Sequence, residues 1–137
     1  MSLTAERIAP FKNEPVKSYT DPADIAAMES ALADVRREFN KTYPLVIDGE
    51  RIPTEKTIAS FNPAKTDEIV GRVASATVEQ ANRAVEVAHA RFESWKDVPP
   101  GERANYILRA AELVRQRRER FNALLVYEVG KSWVEAD

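Results

Sequence analysis

Cysteine is absent from the 137 residues of this chain. No disulfide, thiolate metal site or cysteine nucleophile can therefore be built from its side chains. Histidine occurs once, at His89, and a metal centre normally needs three or four ligands. Glycine is scarce, at positions 49, 71, 101 and 130 only. No two of these have the spacing of a phosphate-cradling loop, whether G-x-G-x-x-G or G-x-x-x-x-G-K. The longest unbroken apolar run, Ala123 to Tyr127, is far shorter than the roughly 20 residues of a membrane-spanning helix. An excess of charge is missing too. Twenty Lys and Arg against 22 Asp and Glu leave a net charge of −2, which gives no electrostatic reason to expect nucleic acid or an anionic membrane as partner. The first residues hold no apolar signal core, so a cytoplasmic location is expected.

What is present reads as a globular chain. Hydrophobic residues make up 44% and charged residues 31%, a balance typical of folded domains, and the length suits one domain. Residues 1–20 mix Pro10, Pro15, Lys and Asn without a period and predict an irregular arm. A helix is predicted over 21–40: Asp21 can accept from free amides, Pro22 suits the first helical position, and Ile25, Met28, Leu32, Val35 and Phe39 recur at helical spacing. Asp48-Gly49, set between Leu45-Val46-Ile47 and Glu50-Arg51-Ile52, is the strongest hairpin signal, because a tight two-residue turn needs positive φ. Thr57–Phe61 and Glu68–Ser75 read as further strands, with Ala64–Asp67 as a turn. Three or four short antiparallel strands are thus expected within 45–75.

Helices are predicted over 77–137. Thr77 and Gln80 match a capping box, and Val78, Ala81, Val85, Ala88 and Phe92 form the stripe expected to be buried. Pro99-Pro100 ends that connection, and a second helix carries Ala104, Ile107, Leu108, Ala111 and Val114. A third, from about Arg118 or later, carries Phe121, Leu124 and Leu125 and should close near Gly130, although Arg115–Arg120 contains no breaker that would separate it from the second. Ser132 can cap one more helix, but only Trp133–Asp137 remain to build it. So short a run is not stable alone, and an element interrupted at 137 is expected.

None of the chemistry-bearing residues forms a persuasive site. His89 has Ala88, Ala90 and Arg91 beside it and no carboxylate or nucleophile partner; it reads as a structural or boundary residue. Arg115, Arg117, Arg118 and Arg120 lie within helical reach of Glu112 and Glu119, so local ion pairs on a solvated face are favoured over phosphate binding. Gly130-Lys131 reads as a helix stop. Asp67-Glu68 and Glu135–Asp137 bring carboxylates together, but neither lies in the apolar setting that acid/base pairs need, and both are expected to be exposed. Trp95, Tyr106, Phe121 and Trp133 are expected in packing, with Trp133 facing sequence beyond 137. No catalytic, cofactor-binding or metal-binding residue is assigned.

Three longer stretches say more than these side chains. Tyr43-Pro44-Leu45-Val46-Ile47-Asp48-Gly49-Glu50 comes first. Phe61-Asn62-Pro63-Ala64 follows, with Ile69-Val70-Gly71-Arg72-Val73-Ala74. Glu128-Val129-Gly130-Lys131-Ser132-Trp133-Val134-Glu135-Ala136-Asp137 comes last. In this order and spacing the chain resembles the N-terminal part of the aldehyde dehydrogenase superfamily. Phe11-Lys12-Asn13-Glu14-Pro15 and Val126-Tyr127-Glu128 are similar to its pyrroline-5-carboxylate dehydrogenase branch.

The resemblance implies an α+β fragment of an α/β enzyme about three or four times this length. It implies that the segment wraps the NAD-binding half without forming the nucleotide-binding core. For the parent enzyme it implies NAD as cofactor, a cysteine thiolate that attacks the aldehyde and a glutamate that activates water. The implied reaction takes glutamate γ-semialdehyde to glutamate in proline and arginine catabolism. The implied partners are the remainder of the polypeptide and further copies in a homo-oligomer. The missing cysteine departs from the family at its decisive residue, so this chain alone is expected to be inactive and to bind no NAD. Another semialdehyde dehydrogenase is the neighbouring alternative. A stand-alone helical protein-interaction module is the alternative of a different class.

Overall fold

The computed structural model describes residues 11–137. Residues 11–20 carry no helix or strand, as the predicted arm requires; the rest of that expectation, 1–10, lies outside the described residues. Helix α1 (Pro22–Arg36) is capped by the Asp21 carboxylate, which accepts from the Ala23 amide. It stops four residues short of the expected end. Residues 37–40 form a turn, and Asn40 closes it in the left-handed region with φ 64°. The α1 stripe is correct: Met28 and Val35 are buried, and Ile25, Leu32 and Phe39 pack around them.

Five strands follow: β1 (Thr42–Tyr43), β2 (Leu45–Ile47), β3 (Glu50–Ile52), β4 (Thr57–Asn62) and β5 (Lys65–Ala74). The β2–β3 hairpin pairs Leu45 with Ile52 and Ile47 with Glu50. Its turn has Asp48 at φ 53° and Gly49 at φ 81°, the double positive φ of a type I′ turn. The four strands within 45–75 pair antiparallel as expected, β2 with β3 and β4 with β5, but they lie in two sheets rather than one. The hairpin stands apart, and the second sheet has the order β1-β5-β4. In it β1 runs parallel to β5, with Thr42 opposite Arg72 and Tyr43 opposite Val73. This pair begins where the Lys41 carbonyl accepts from the Arg72 amide at 2.9 Å. Gly71 leaves room there for the Tyr43 ring, since a Cβ would lie 3.3 Å from Tyr43 Cε2. Strand β5 also begins three residues earlier than expected. The β4–β5 turn shrinks to Pro63-Ala64 because the Asn62 carboxamide accepts from the Ala64 amide at 3.0 Å, a local side-chain turn that the sequence pattern hid.

Four helices complete the chain: α2 (Val78–Trp95), α3 (Pro100–Gln116), α4 (Arg118–Val129) and α5 (Trp133–Ala136). The Thr77–Gln80 capping box is formed, and Ser132 caps α5 with Glu135 in the same way. Gly130 ends α4 at φ 73°, as a left-handed C-terminal cap should. The α3–α4 break that no residue type announces falls at Arg117, with φ −116° and ψ 21°. Beyond this break α4 packs against α1, and Ala123 joins Tyr19, Met28 and Val35 in the core cluster. The α2 stripe is overturned as a buried face. Helix α2 has no buried residue, and neither has α3; Val85 is 70% and Ile107 72% exposed.

Candidate functional site

The densest polar constellation among the described residues sits where the arm, α1, α4 and α5 meet. Arg118 and Asn122 occupy successive turns of one α4 face, and both reach the carboxylate of Asp137. Arg118 donates through Nε at 2.6 Å and Nη2 at 2.5 Å, and Asn122 Nδ2 donates at 2.9 Å. The Lys17 amide of the arm supplies a further donor at 2.7 Å. The Asp137 side chain is fully buried. The Arg118 guanidinium foremost, with the Lys17 amide and Asn122, overcomes the opposing effect of burial and holds Asp137 at a pKa of about 2.

A second set of contacts surrounds this one. Lys17 Nζ bridges Asp24 of α1 and Glu119 of α4, each at 2.7 Å. These hydrogen bonds push the Lys17 ammonium well above its ordinary pKa. The Tyr19 hydroxyl donates to Glu119 at 3.0 Å and accepts from Asn122 at 2.9 Å, and burial raises its pKa. Trp133 meets the Tyr19 ring edge-on, with centroids 5.5 Å apart. Beside the node runs an apolar groove of about 430 Å³, lined in part by Val114, Phe121, Leu125 and Ala136 and bordered by Glu14 of the arm.

Several expectations change here. The Asp137 side chain is buried and that of Glu68 nearly so, whereas both were expected in water. Glu68 bonds Lys65 at 2.7 Å and Asn62 at 3.1 Å and pairs with Arg36, and its pKa is lowered, chiefly by Lys65. The arginine cluster is only partly a solvated face. Arg115 does pair with Glu112, at 3.8 Å. Arg120, however, reaches both oxygens of Glu38 at 2.9 Å, and Glu119 takes Lys17 in place of an arginine. Trp133 packs against Tyr19 of the arm and is half-buried. Phe121 stays exposed, and Trp95 packs against Tyr106 at 5.5 Å.

Sequence reasoning missed Lys17, Tyr19 and Asn122 altogether. The only available signal was the four-residue spacing of Arg118 and Asn122, which places a cation and an amide on one helical face. His89 is exposed on α2, and no group of three potential metal ligands occurs among the described residues. Charge-assisted bonds this well satisfied fix positions. The node has donors and acceptors already matched, so it has the character of a structural joint rather than a reacting centre.

With that geometry in view, comparison with known proteins gives the class. Residues 51–137 match the aldehyde dehydrogenase family, and the chain belongs to that family. Among curated relatives it is 48% identical over 128 residues to 1-pyrroline-5-carboxylate dehydrogenase 2 of Bacillus subtilis, covering 93% of this chain and 25% of that protein. It is 45% identical over 130 residues to 1-pyrroline-5-carboxylate dehydrogenase 1 of Halalkalibacterium halodurans, covering 95% and 25%. The chain therefore spans about a quarter of the length of these relatives. Among solved structures, the 1-pyrroline-5-carboxylate dehydrogenase from Thermus with bound NAD superposes with a TM-score of 0.92 at 43% identity, over 95% of this chain and 25% of that one. The corresponding Mycobacterium tuberculosis enzyme gives 0.83 at 28%, over 94% and 24%. The expected fold is borne out by these superpositions.

Proposed function

We propose that this chain is the N-terminal segment of an NAD-dependent dehydrogenase that oxidises glutamate γ-semialdehyde, the open form of pyrroline-5-carboxylate, to glutamate. The observation that carries the reading is identity of 45–48% over nearly the whole chain to two enzymes of that name, together with the superposition at 0.92. Within it, the 137 residues supply a scaffold: the arm, hairpin, sheet and helices that surround the NAD-binding half. They contribute no cysteine, so the thiolate of the reaction comes from outside them. They also contain no glycine-rich phosphate loop, which supports NAD binding by the whole enzyme and not by this segment alone. The remaining partners in this reading are the rest of the polypeptide and further copies of the enzyme, in the cytoplasm.

The test is a spectrophotometric assay of the complete gene product with NAD and pyrroline-5-carboxylate, beside succinate semialdehyde and simple aldehydes. NADH formation with a clear preference for pyrroline-5-carboxylate is expected. Preference for another semialdehyde would move the assignment within the family, and inactivity with every aldehyde would overturn it. The 137-residue chain assayed alone should give no NADH and no saturable NAD binding by calorimetry.

A further inference from the structure

Among the described residues, 14–20 have no backbone pairing to hold them in place, and no helix or strand includes them. Their apolar anchorage is slight, since Val16 is 66% exposed and only Tyr19 is buried. Polar contacts do the fastening. Arg115 Nε bonds Glu14 at 2.6 Å, Arg118 Nη2 bonds the Pro15 carbonyl at 2.6 Å, and the Lys17 amide bonds Asp137 at 2.7 Å. Lys17 Nζ spans Asp24 and Glu119, and the Tyr19 hydroxyl sits between Glu119 and Asn122. The last anchor is also strained. Tyr19 has φ 54°, a left-handed conformation that an aromatic residue keeps only while its surroundings enforce it.

We propose that Glu14–Thr20 is a strap, buckled at Asp137 and Lys17, that releases as one unit while α1 and α4 stay folded. Two features combine in this. Among the described residues Asp137 is the one acceptor shared by the strap and by Arg118 and Asn122, so loss of its charge loosens both sides of the buckle together. Release also lets Tyr19 relax to an ordinary backbone conformation, which favours all-or-none opening over gradual fraying. Segments with few buried apolar contacts open at lower free energy than the core beneath them.

Trp133 reports on the buckle because its ring rests on Tyr19. Within these 137 residues Trp95→Phe leaves it as the one tryptophan, and any tryptophan elsewhere in a longer chain is replaced by Phe as well. Acrylamide quenching of its fluorescence should rise at least about threefold in both Lys17→Met and Asp137→Asn, with a red-shifted emission and unchanged helical ellipticity. Lys17→Met retains the backbone amide bond to Asp137 and removes only the side-chain bridge, so it decides the matter if Asp137→Asn fails to fold. Unaltered quenching in Lys17→Met would overturn the strap. So would a rise accompanied by loss of helical ellipticity, because the segment would then not be a separate unit.

Discussion

Asp137 shows how much one side chain can govern. Its folded pKa of about 2 lies below the ordinary 3.8, so the unfolded chain binds its proton first as the pH falls. The stabilisation is fully present above the unfolded value and is lost as the pH drops from about 4 toward 2. A depression of this size corresponds to roughly 2 kcal/mol. Asp137→Asn should therefore lower stability by that order at neutral pH, and the gap to the parent should close in acid; urea melts at pH 7 and pH 3 check it. Gly130 is constrained differently. At φ 73°, a Cβ there would also lie 3.0 Å from Pro63 Cγ. Gly130→Ala should cost about 1–2 kcal/mol or more. Gly101→Ala, with open space around it, should be neutral or raise the melting temperature slightly.

Among the elements, α1 and α4 form the joint on which the rest depends. Met28 is 0% exposed between them, and Met28→Ala should cost about 2–5 kcal/mol in a chemical denaturation series. Elements whose information is local were legible in the sequence. The Asp21 cap, the Thr77–Gln80 box, the Asp48-Gly49 turn and the Gly130 stop each lie within a few residues of what they control. Non-local features were hidden. The parallel pairing of Thr42–Tyr43 with β5 joins residues 30 apart, and the node joins Lys17 to Asp137 across 120 positions. Neither leaves a periodic trace. The α2 stripe misled because amphipathic spacing reveals that a face is apolar, and not what covers it. Candidate chemistry was legible mainly as absence, in the missing cysteine and the missing phosphate loop.

On the scale of the whole molecule, those uncovered faces determine solution behaviour. Val85, Phe92, Trp95, Tyr106 and Ile107 are all exposed along α2 and α3. An apolar surface of this kind favours association. The 137-residue chain should self-associate at micromolar concentration in sedimentation velocity. A concentration-independent monomer with a sharp melt would instead favour a self-contained interaction module. Helix α2 has a further property, because its polar ties to the hairpin are two exposed ion pairs, Arg83 with Glu50 at 2.8 Å and Arg91 with Asp48 at 2.7 Å. Exposed pairs weaken as the screening length shrinks to about 3 Å in molar salt. Brine should therefore slacken the hold of the hairpin on α2, leaving the contacts between α2 and β2 to keep the two together.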